Sequence, residues 1–153
     1  MDAGPRISRA PDGVRLDLPE DERALLSQVA RELRALIDEA PDDPSLRRLF
    51  PRAHEDEALE EQYRGLTRDQ LTTARDRALE TIEEAASNTL LSPEEADAWL
   101  RGLNDARLVL GTRLEITEDF DWDAVDLSHP QAQELALYAY LSWLQEQLVE
   151  ALA

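Results

Sequence analysis

The sequence predicts an all-α fold, a compact bundle of about five helices that carries a short β-hairpin at its N-terminus. Three observations lead to this prediction. Apolar residues recur at steps of three and four over several segments, helix-start patterns precede those segments, and strand-like alternation is confined to residues 6–18. The chain has 153 residues, so we expect one domain over 1–153, with the helical bundle over 20–153.

The predicted hairpin covers residues 6–18. Polar and apolar residues alternate on both sides of Ala10-Pro11-Asp12-Gly13, which has the composition of a tight turn. Because two strands alone are marginally stable, we expect the hairpin to rest on the helices.

The first helix is predicted to begin at Pro19, with three acidic residues in its first turn. Ser45 to Phe50 is predicted to form one helical turn. A further helical stretch is predicted from about Glu55 to Ala86, with a break near Gly65 and a capping box at Thr67-Arg68-Asp69-Gln70.

The central helix is predicted near residues 93–116. Ser92-Pro93-Glu94-Glu95 combines a capping box with a proline at the first helical position. Apolar residues then lie on nearly every side, which is typical of a helix covered by several neighbours. Gly111 within it predicts a close crossing with another helix.

The last helix is predicted to start at Ser128-His129-Pro130-Gln131, after an acidic loop over residues 118–126. Leu137, Tyr140, Leu141, Leu144, Leu148 and Leu152 share one face of it. Four apolar residues fall outside that arc: Leu135, Tyr138, Trp143 and Val149. Apolar residues beyond those that one core face requires often mark an interface.

Composition excludes several classes of function. The chain has no cysteine, so a thiolate nucleophile, a disulfide switch and a Cys-ligated zinc are impossible. Its formal charge of −18 disfavours nucleic-acid binding, which draws its affinity from cations that neutralise phosphates. The N-terminal residues lack the apolar stretch of a signal peptide and no apolar run has the length of a membrane span. We therefore expect no membrane contact and a cytoplasmic location.

No motif in the sequence predicts a catalytic residue, a metal site or a cofactor. Asp119, Asp121 and Asp123 have the first spacings of a calcium loop. However, Ala124 stands at the position of the turn glycine, and Pro130 at that of the bidentate glutamate. The two histidines, His54 and His129, fit no metal-binding helical pattern. We therefore expect no enzyme activity; a small metal-binding protein or enzyme is the least favoured alternative.

Polar side chains on the apolar central helix are candidate partner contacts. Asn104 and Arg107 share one stripe with Gly111, and a buried charge must find a partner. Either Arg107 forms an internal salt bridge with an acid on a neighbouring helix, or this stripe is a recognition face. The predicted partner contacts are Asn104, Asp105, Arg107, Arg113, Trp122, Tyr138 and Trp143.

Several segments resemble one known family. They are Ala98-Trp99-Leu100 with the stretch from Leu103 to Leu114, Leu49-Phe50-Pro51, Glu61-Gln62-Tyr63-Arg64-Gly65-Leu66-Thr67, and the C-terminal helix with Tyr140-Leu141 and Leu144. Over nearly the whole chain and in the same order, they are similar to an actinobacterial family of oxidative-stress transcriptional regulators of the AosR type. That family was formerly known only as a domain of unknown function.

The resemblance implies a non-enzymatic regulator that acts through a sigma factor or RNA polymerase. It also implies redox sensing through a disulfide, for which this chain has no cysteine. Either this chain senses nothing directly, or its sensing uses other chemistry.

The leading hypothesis is therefore a cytoplasmic regulatory protein that binds a protein partner, a sigma factor or RNA polymerase. A second copy of the chain could instead be the partner, as a homodimer. The alternative is a direct DNA-binding regulator that uses a segregated arginine patch drawn from Arg6, Arg9, Arg15, Arg47, Arg48 and Arg52.

Overall fold

A computed structural model of the chain describes residues 5–49, 73–84, 89–126 and 128–153. Within these ranges the fold is mostly helical, with four α-helices, three short strands and two single-turn 3-10 helices, Pro44–Leu46 and Trp122–Ala124. The helices are α1 Glu20–Glu39, α2 over residues 73–84, α3 Pro93–Arg113 and α4 Ala132–Leu152. The strands are β1 Ile7–Ala10, β2 Gly13–Leu16 and β3 Leu90–Leu91.

The prediction of a helical fold is confirmed, whereas the predicted number and extent of the elements are confirmed only in part. The described ranges contain four α-helices rather than about five. The predicted break near Gly65 and the capping box at residues 67–70 lie outside the described residues. Before them, a 3-10 turn over Pro44–Leu46 replaces the predicted helical turn from Ser45 to Phe50.

The predicted hairpin is present, but it belongs to a three-stranded antiparallel sheet in the order β1-β2-β3. Ile7 pairs with Leu16, and Val14 pairs with both Arg9 and Leu91. A Cβ atom at Gly13 would lie 2.0 Å from the backbone oxygen of Leu91, so glycine is required for β3 to approach β2. Strand β3 lies between two predicted helices of the bundle over 20–153 and was not predicted, because two residues are too few to show alternation.

Helix α3 occupies the centre of the fold, as predicted. Its Trp99 and Leu103 are buried, and it packs against α1, α4 and the 3-10 turn at Pro44–Leu46. Helix α2 covers another side, because a Cβ atom at Gly102 would lie 2.4 Å from the Ile82 side chain. The Ser92 capping box is present, with Ser92 and Glu95 each receiving a hydrogen bond from the other's backbone nitrogen.

Helices α3 and α4 cross closely at Gly111. A Cβ atom there would lie 3.1 Å from the Tyr138 ring, which confirms the close approach that this glycine predicted. Asn104 contacts Gln145 near the other end of the crossing, so the two helices run antiparallel.

Three predictions about α4 were wrong. The helix begins at Ala132, after Pro130, and its N-cap residue Gln131 makes no side-chain capping bond. Instead His129 Nδ1 accepts a hydrogen bond from the Gln131 backbone nitrogen within a preceding turn. Leu135, assigned outside the core arc, is buried, and Leu152, assigned to the core face, is 41% exposed. Both lie near helix ends, where neighbouring segments rather than helical periodicity decide burial.

Charged side chains connect the helices at the surface. Arg34 on α1 bonds to Asp76 at 2.9 Å and also to Glu83, both on α2. These two hydrogen bonds hold the Arg34 pKa above its usual value. Among the described residues, no helix has the length and apolar character needed to cross a bilayer.

Candidate protein-interaction surface

Arg107 is the centre of a polar seam between α3 and α4. Its Nε donates to Ser142 Oγ at 2.9 Å and its Nη1 donates to Gln145 Oε1 at 2.7 Å. Gln145 Nε2 in turn donates to Asn104 Oδ1 at 3.4 Å. The predicted salt bridge from Arg107 to an acid is therefore wrong for the described residues. The residues of α4 that face Arg107 are the neutral Ser142 and Gln145.

The seam continues into a column of aromatic rings. The Arg107 guanidinium carbon lies 5.5 Å from the centre of the Tyr138 ring, within cation–π range. Tyr138 stacks on Trp122, with 5.9 Å between ring centres, and Phe120 meets Trp122 edge-on at 4.9 Å. Trp122 nevertheless remains 43% exposed. These ring contacts thus hold the loop that carries Phe120 and Trp122 against α4, while Trp122 stays accessible to a partner.

Carboxylates surround the exposed tryptophan in the sequence. Glu118, Asp119, Asp121 and Asp123 are all exposed. Asp121 accepts a hydrogen bond from the Asp123 backbone nitrogen at 3.0 Å. Within the described part of the chain, none of these four carboxylates forms a salt bridge. We call the four acids, together with Phe120, Trp122, Tyr138 and Arg107, the acidic–aromatic surface.

Asp105 lies on a different side of α3 from Arg107. It is 6% exposed, and its Oδ2 lies 3.7 Å from Arg75 Nε on α2. Burial raises the pKa of Asp105 above its usual value, against the opposing charges of Arg75 and Arg101. The structure therefore separates Asp105 from Arg107, with which it was grouped as a predicted partner contact.

Arg113 and Trp143 also lie apart from the acidic–aromatic surface. Arg113 is exposed and lines an apolar groove of about 110 Å³ between α1, α3 and α4. Trp143 is 40% exposed, with Arg6 5.6 Å and Tyr140 6.1 Å from its ring. Of the seven predicted contact residues, four are thus brought together: Asn104, Arg107, Trp122 and Tyr138.

The arginines of the DNA-binding hypothesis divide into two groups. Arg6 donates to Glu22, and Arg9 donates to the Ala151 carbonyl at 3.2 Å, so both make contacts within the fold. Arg15, Arg47 and Arg48 are exposed. Arg52 lies outside the described residues.

Three residues of this region were not predicted as contacts from the sequence. Phe120 was seen only as part of the acidic loop, and Ser142 and Gln145 were not singled out. Tyr138, Ser142 and Gln145 are spaced by four and then three residues, so their side chains lie on one side of α4. That polar stripe opposite Asn104 and Arg107 was the available signal.

A match to a family model shows to which family the chain belongs. The model of a family described as a domain of unknown function, DUF2017, matches residues 3–152. The chain belongs to the DUF2017 family. The resemblance on which the AosR-type assignment rested is confirmed by curated relatives that carry that name.

Those relatives are mycobacterial proteins. The chain is 32% identical to the AosR protein of Mycobacterium leprae, over 73% of this chain and 59% of the relative. It is 30% identical to the oxidative stress regulator AosR of Mycobacterium bovis and of Mycobacterium tuberculosis, over 71% of this chain and 58% of each relative. The chain therefore spans about three fifths of the length of these relatives. No solved structure matches it.

Proposed function

We propose that this DUF2017 protein is a non-enzymatic cytoplasmic regulator that acts by binding a protein of the transcription machinery, a sigma factor or RNA polymerase. The names of the curated relatives support a regulatory role. The charge of −18 supports a protein partner over nucleic acid, because nucleic acid would be repelled at long range.

The observation that carries the proposal is the exposed Trp122 among carboxylates that form no salt bridge with any residue the structure describes. Tryptophan is enriched among the residues that dominate binding energy at protein interfaces. Carboxylates without salt bridges attract a partner surface of opposite charge and repel acidic ones. An indole ring also binds a cation better than other aromatic rings do. The acidic–aromatic surface therefore fits a basic, arginine- or lysine-bearing segment of the partner.

The aromatic column prepares this surface for binding. Trp122 is held between Phe120 and Tyr138, and Tyr138 is held in turn by Arg107. A side chain that is already ordered loses less conformational entropy on association, so more of the contact energy appears as affinity.

Affinity capture of tagged protein from a lysate of the cells that encode it tests the proposal. Wild-type protein is expected to enrich a sigma factor or an RNA polymerase subunit. The Trp122→Ala variant is expected to bind the purified partner at least about tenfold more weakly. Loss of two ring contacts should cost only about 1 to 3 kcal/mol of folding stability, so the variant remains folded.

Trp143→Ala is the matched control, because Trp143 has similar exposure but lies beside Arg6 and Tyr140. This control should retain binding, and binding of the wild type should weaken with added salt. Capture of no transcription component, or undiminished binding by Trp122→Ala, contradicts the proposal.

A second copy of the chain is the alternative partner of Tyr138 and Trp143. Sedimentation equilibrium separates the two possibilities. A strict monomer excludes the homodimer, whereas a dimer that Trp122→Ala dissociates would assign the acidic–aromatic surface to self-association.

A further inference from the structure

A second cleft lies between α2 and α3, away from the acidic–aromatic surface. Its volume is about 230 Å³, larger than the apolar groove near Arg113. Of the residues that the structure describes, two alanines and four polar residues line it: Ala74, Arg75, Ala78, Arg101, Asn104 and Asp105. The described part of the lining is therefore mostly polar, with the methyl groups of two alanines.

Among the described residues, the Asp105 carboxylate in this cleft is held only by a long ion pair with Arg75. It is 94% buried, yet no described residue donates a hydrogen bond to it. The distance of 3.7 Å from Arg75 Nε exceeds the roughly 2.7–2.9 Å of a charge-assisted hydrogen bond. Buried carboxylates accept hydrogen bonds from protein or water, so Asp105 can accept one from a donor that enters the cleft.

Hydrogen-bond donors occur on the same cleft. Arg101 has a side chain that is 68% exposed and lies 3.7 Å from Asp97, a loose surface pair. Asn104 accepts a hydrogen bond at Oδ1, while its Nδ2 donates to no described residue. Arg75 donates to the Leu49 carbonyl at 2.9 Å, which holds its guanidinium beside the cleft.

The charged residues that line the cleft favour one class of ligand over others. A simple anion would meet Asp105 and the surrounding negative charge of the molecule, and a simple cation would meet two guanidinium groups. A molecule that carries both charges avoids each repulsion. We propose that the cleft binds a small α-amino acid, with its ammonium group at Asp105 and its carboxylate at Arg101 and Asn104. Ala74 and Ala78 limit it to a short side chain.

Titration of the full chain with L-alanine, followed by ¹H–¹⁵N NMR and calorimetry, tests this proposal. L-Alanine is expected to give saturable shifts at residues 74–78 and 101–105. Ethylamine and propionate, each of which carries one of the two charges, should bind at least about tenfold more weakly. Asp105→Asn and Arg101→Gln should each weaken L-alanine binding by a similar factor. Glu94→Gln, at an exposed position in the first turn of α3 outside the cleft, should leave it unchanged.

The proposal is overturned if millimolar L-alanine produces no saturable shift in the folded wild type. It is equally overturned if ethylamine or propionate binds as tightly as the zwitterion, or if Asp105→Asn binds like wild type. Trp122→Ala should bind L-alanine normally, so this result is independent of partner binding.

Discussion

Glu22 joins three parts of the molecule through one carboxylate. Arg6, beside β1, donates to it from Nε and Nη2 at 3.1 Å, and the Tyr140 hydroxyl of α4 donates at 2.7 Å. Burial raises the pKa of Glu22, but the bonds from Arg6 and Tyr140 outweigh this effect and hold the pKa below its usual value. Burial, together with the same bond to Glu22, raises the pKa of Tyr140. The ionised Glu22 therefore stabilises the docking of the hairpin.

Replacing Glu22 with glutamine tests this contribution. Near neutral pH, Glu22→Gln is expected to lower the free energy of unfolding by about 1 to 2 kcal/mol, since charge-assisted bonds are lost. A lowered folded pKa stabilises above the unfolded pKa, and this stabilisation disappears as pH falls through the folded value. The difference from wild type should thus shrink in acid. Urea denaturation measures it, with the exposed Glu20→Gln as control; equal midpoints for Glu22→Gln and wild type would contradict it.

At Asp105 the effect of burial outweighs that of the neighbouring charges, so its pKa shifts in the opposite direction from that of Glu22. Its burial raises its pKa, and the charges of Arg75 and Arg101 only partly offset this. The folded state therefore binds a proton more strongly than the unfolded chain does, and ionisation of Asp105 opposes folding.

Asp105→Asn is consequently expected to be as stable as wild type, or more stable, near neutral pH. The wild type should lose stability as pH rises from the unfolded pKa of about 4 through the raised folded value, whereas the variant should lack this component. Urea denaturation across that range measures both. A variant that is clearly less stable than wild type near neutral pH would show that pairing with Arg75 outweighs burial.

At the scale of elements, α3 begins with a complete capping box, whereas its end requires a non-glycine residue with a left-handed backbone conformation. Its end has paired bonds from Glu115 N to Thr112 O and from Ile116 N to Gly111 O, the Schellman arrangement. Glu115 must then adopt φ 55, a left-handed conformation that glycine takes without strain. This turn ends the helix at Arg113, three residues before the predicted end at 116.

Glu115→Gly should therefore stabilise the protein. Relief of the left-handed strain, and removal of a negative charge at a helix C-terminus, should together raise the free energy of unfolding by about 1 kcal/mol. Thermal or urea denaturation measures it. Glu118→Gly, in the exposed loop beyond the turn, controls for the loss of charge alone and should not stabilise to the same extent; a destabilised Glu115→Gly would refute the strain argument.

At the scale of the whole molecule, net charge opposes folding. The chain carries 34 acidic residues against 16 basic ones, and several of the basic residues are held in pairs at Glu22, Asp76, Glu83 and Asp105. The exposed acids of the loop over 118–123 lack such pairs within the described residues. Self-repulsion among like charges destabilises a compact state.

Added salt should screen this repulsion. We expect unfolding free energy to rise by roughly 1 kcal/mol between low and physiological ionic strength, or about 2 to 4 °C in melting temperature. Differential scanning calorimetry in sodium chloride and in potassium chloride measures the shift. The two salts should act alike, because screening depends on ionic strength; a constant or falling melting temperature would contradict the prediction.

How well the sequence predicted a feature of the fold depends on how far apart in the chain the interacting residues lie. The Ser92 capping box, the turn before Gly13 and the apolar surround of α3 arise from residues a few positions apart, so local patterns predicted them correctly. The pairing of Leu91 with Val14 depends on a segment distant in the chain. The same distinction applies to the site: Arg107 was singled out, but its neutral partners Ser142 and Gln145 were not.

By itself the sequence determined a helical class, a central helix, a chain without thiol chemistry and a strongly negative surface, since these depend on composition and short-range periodicity. Only the tertiary structure decided which polar residues meet. Asn104 and Asp105 are adjacent in the chain, yet successive helical residues point about 100° apart. The packing of α4 on one side of α3 and α2 on another therefore buries Asp105 beside Arg75, whereas Asn104, on the same cleft, also reaches Gln145 on α4.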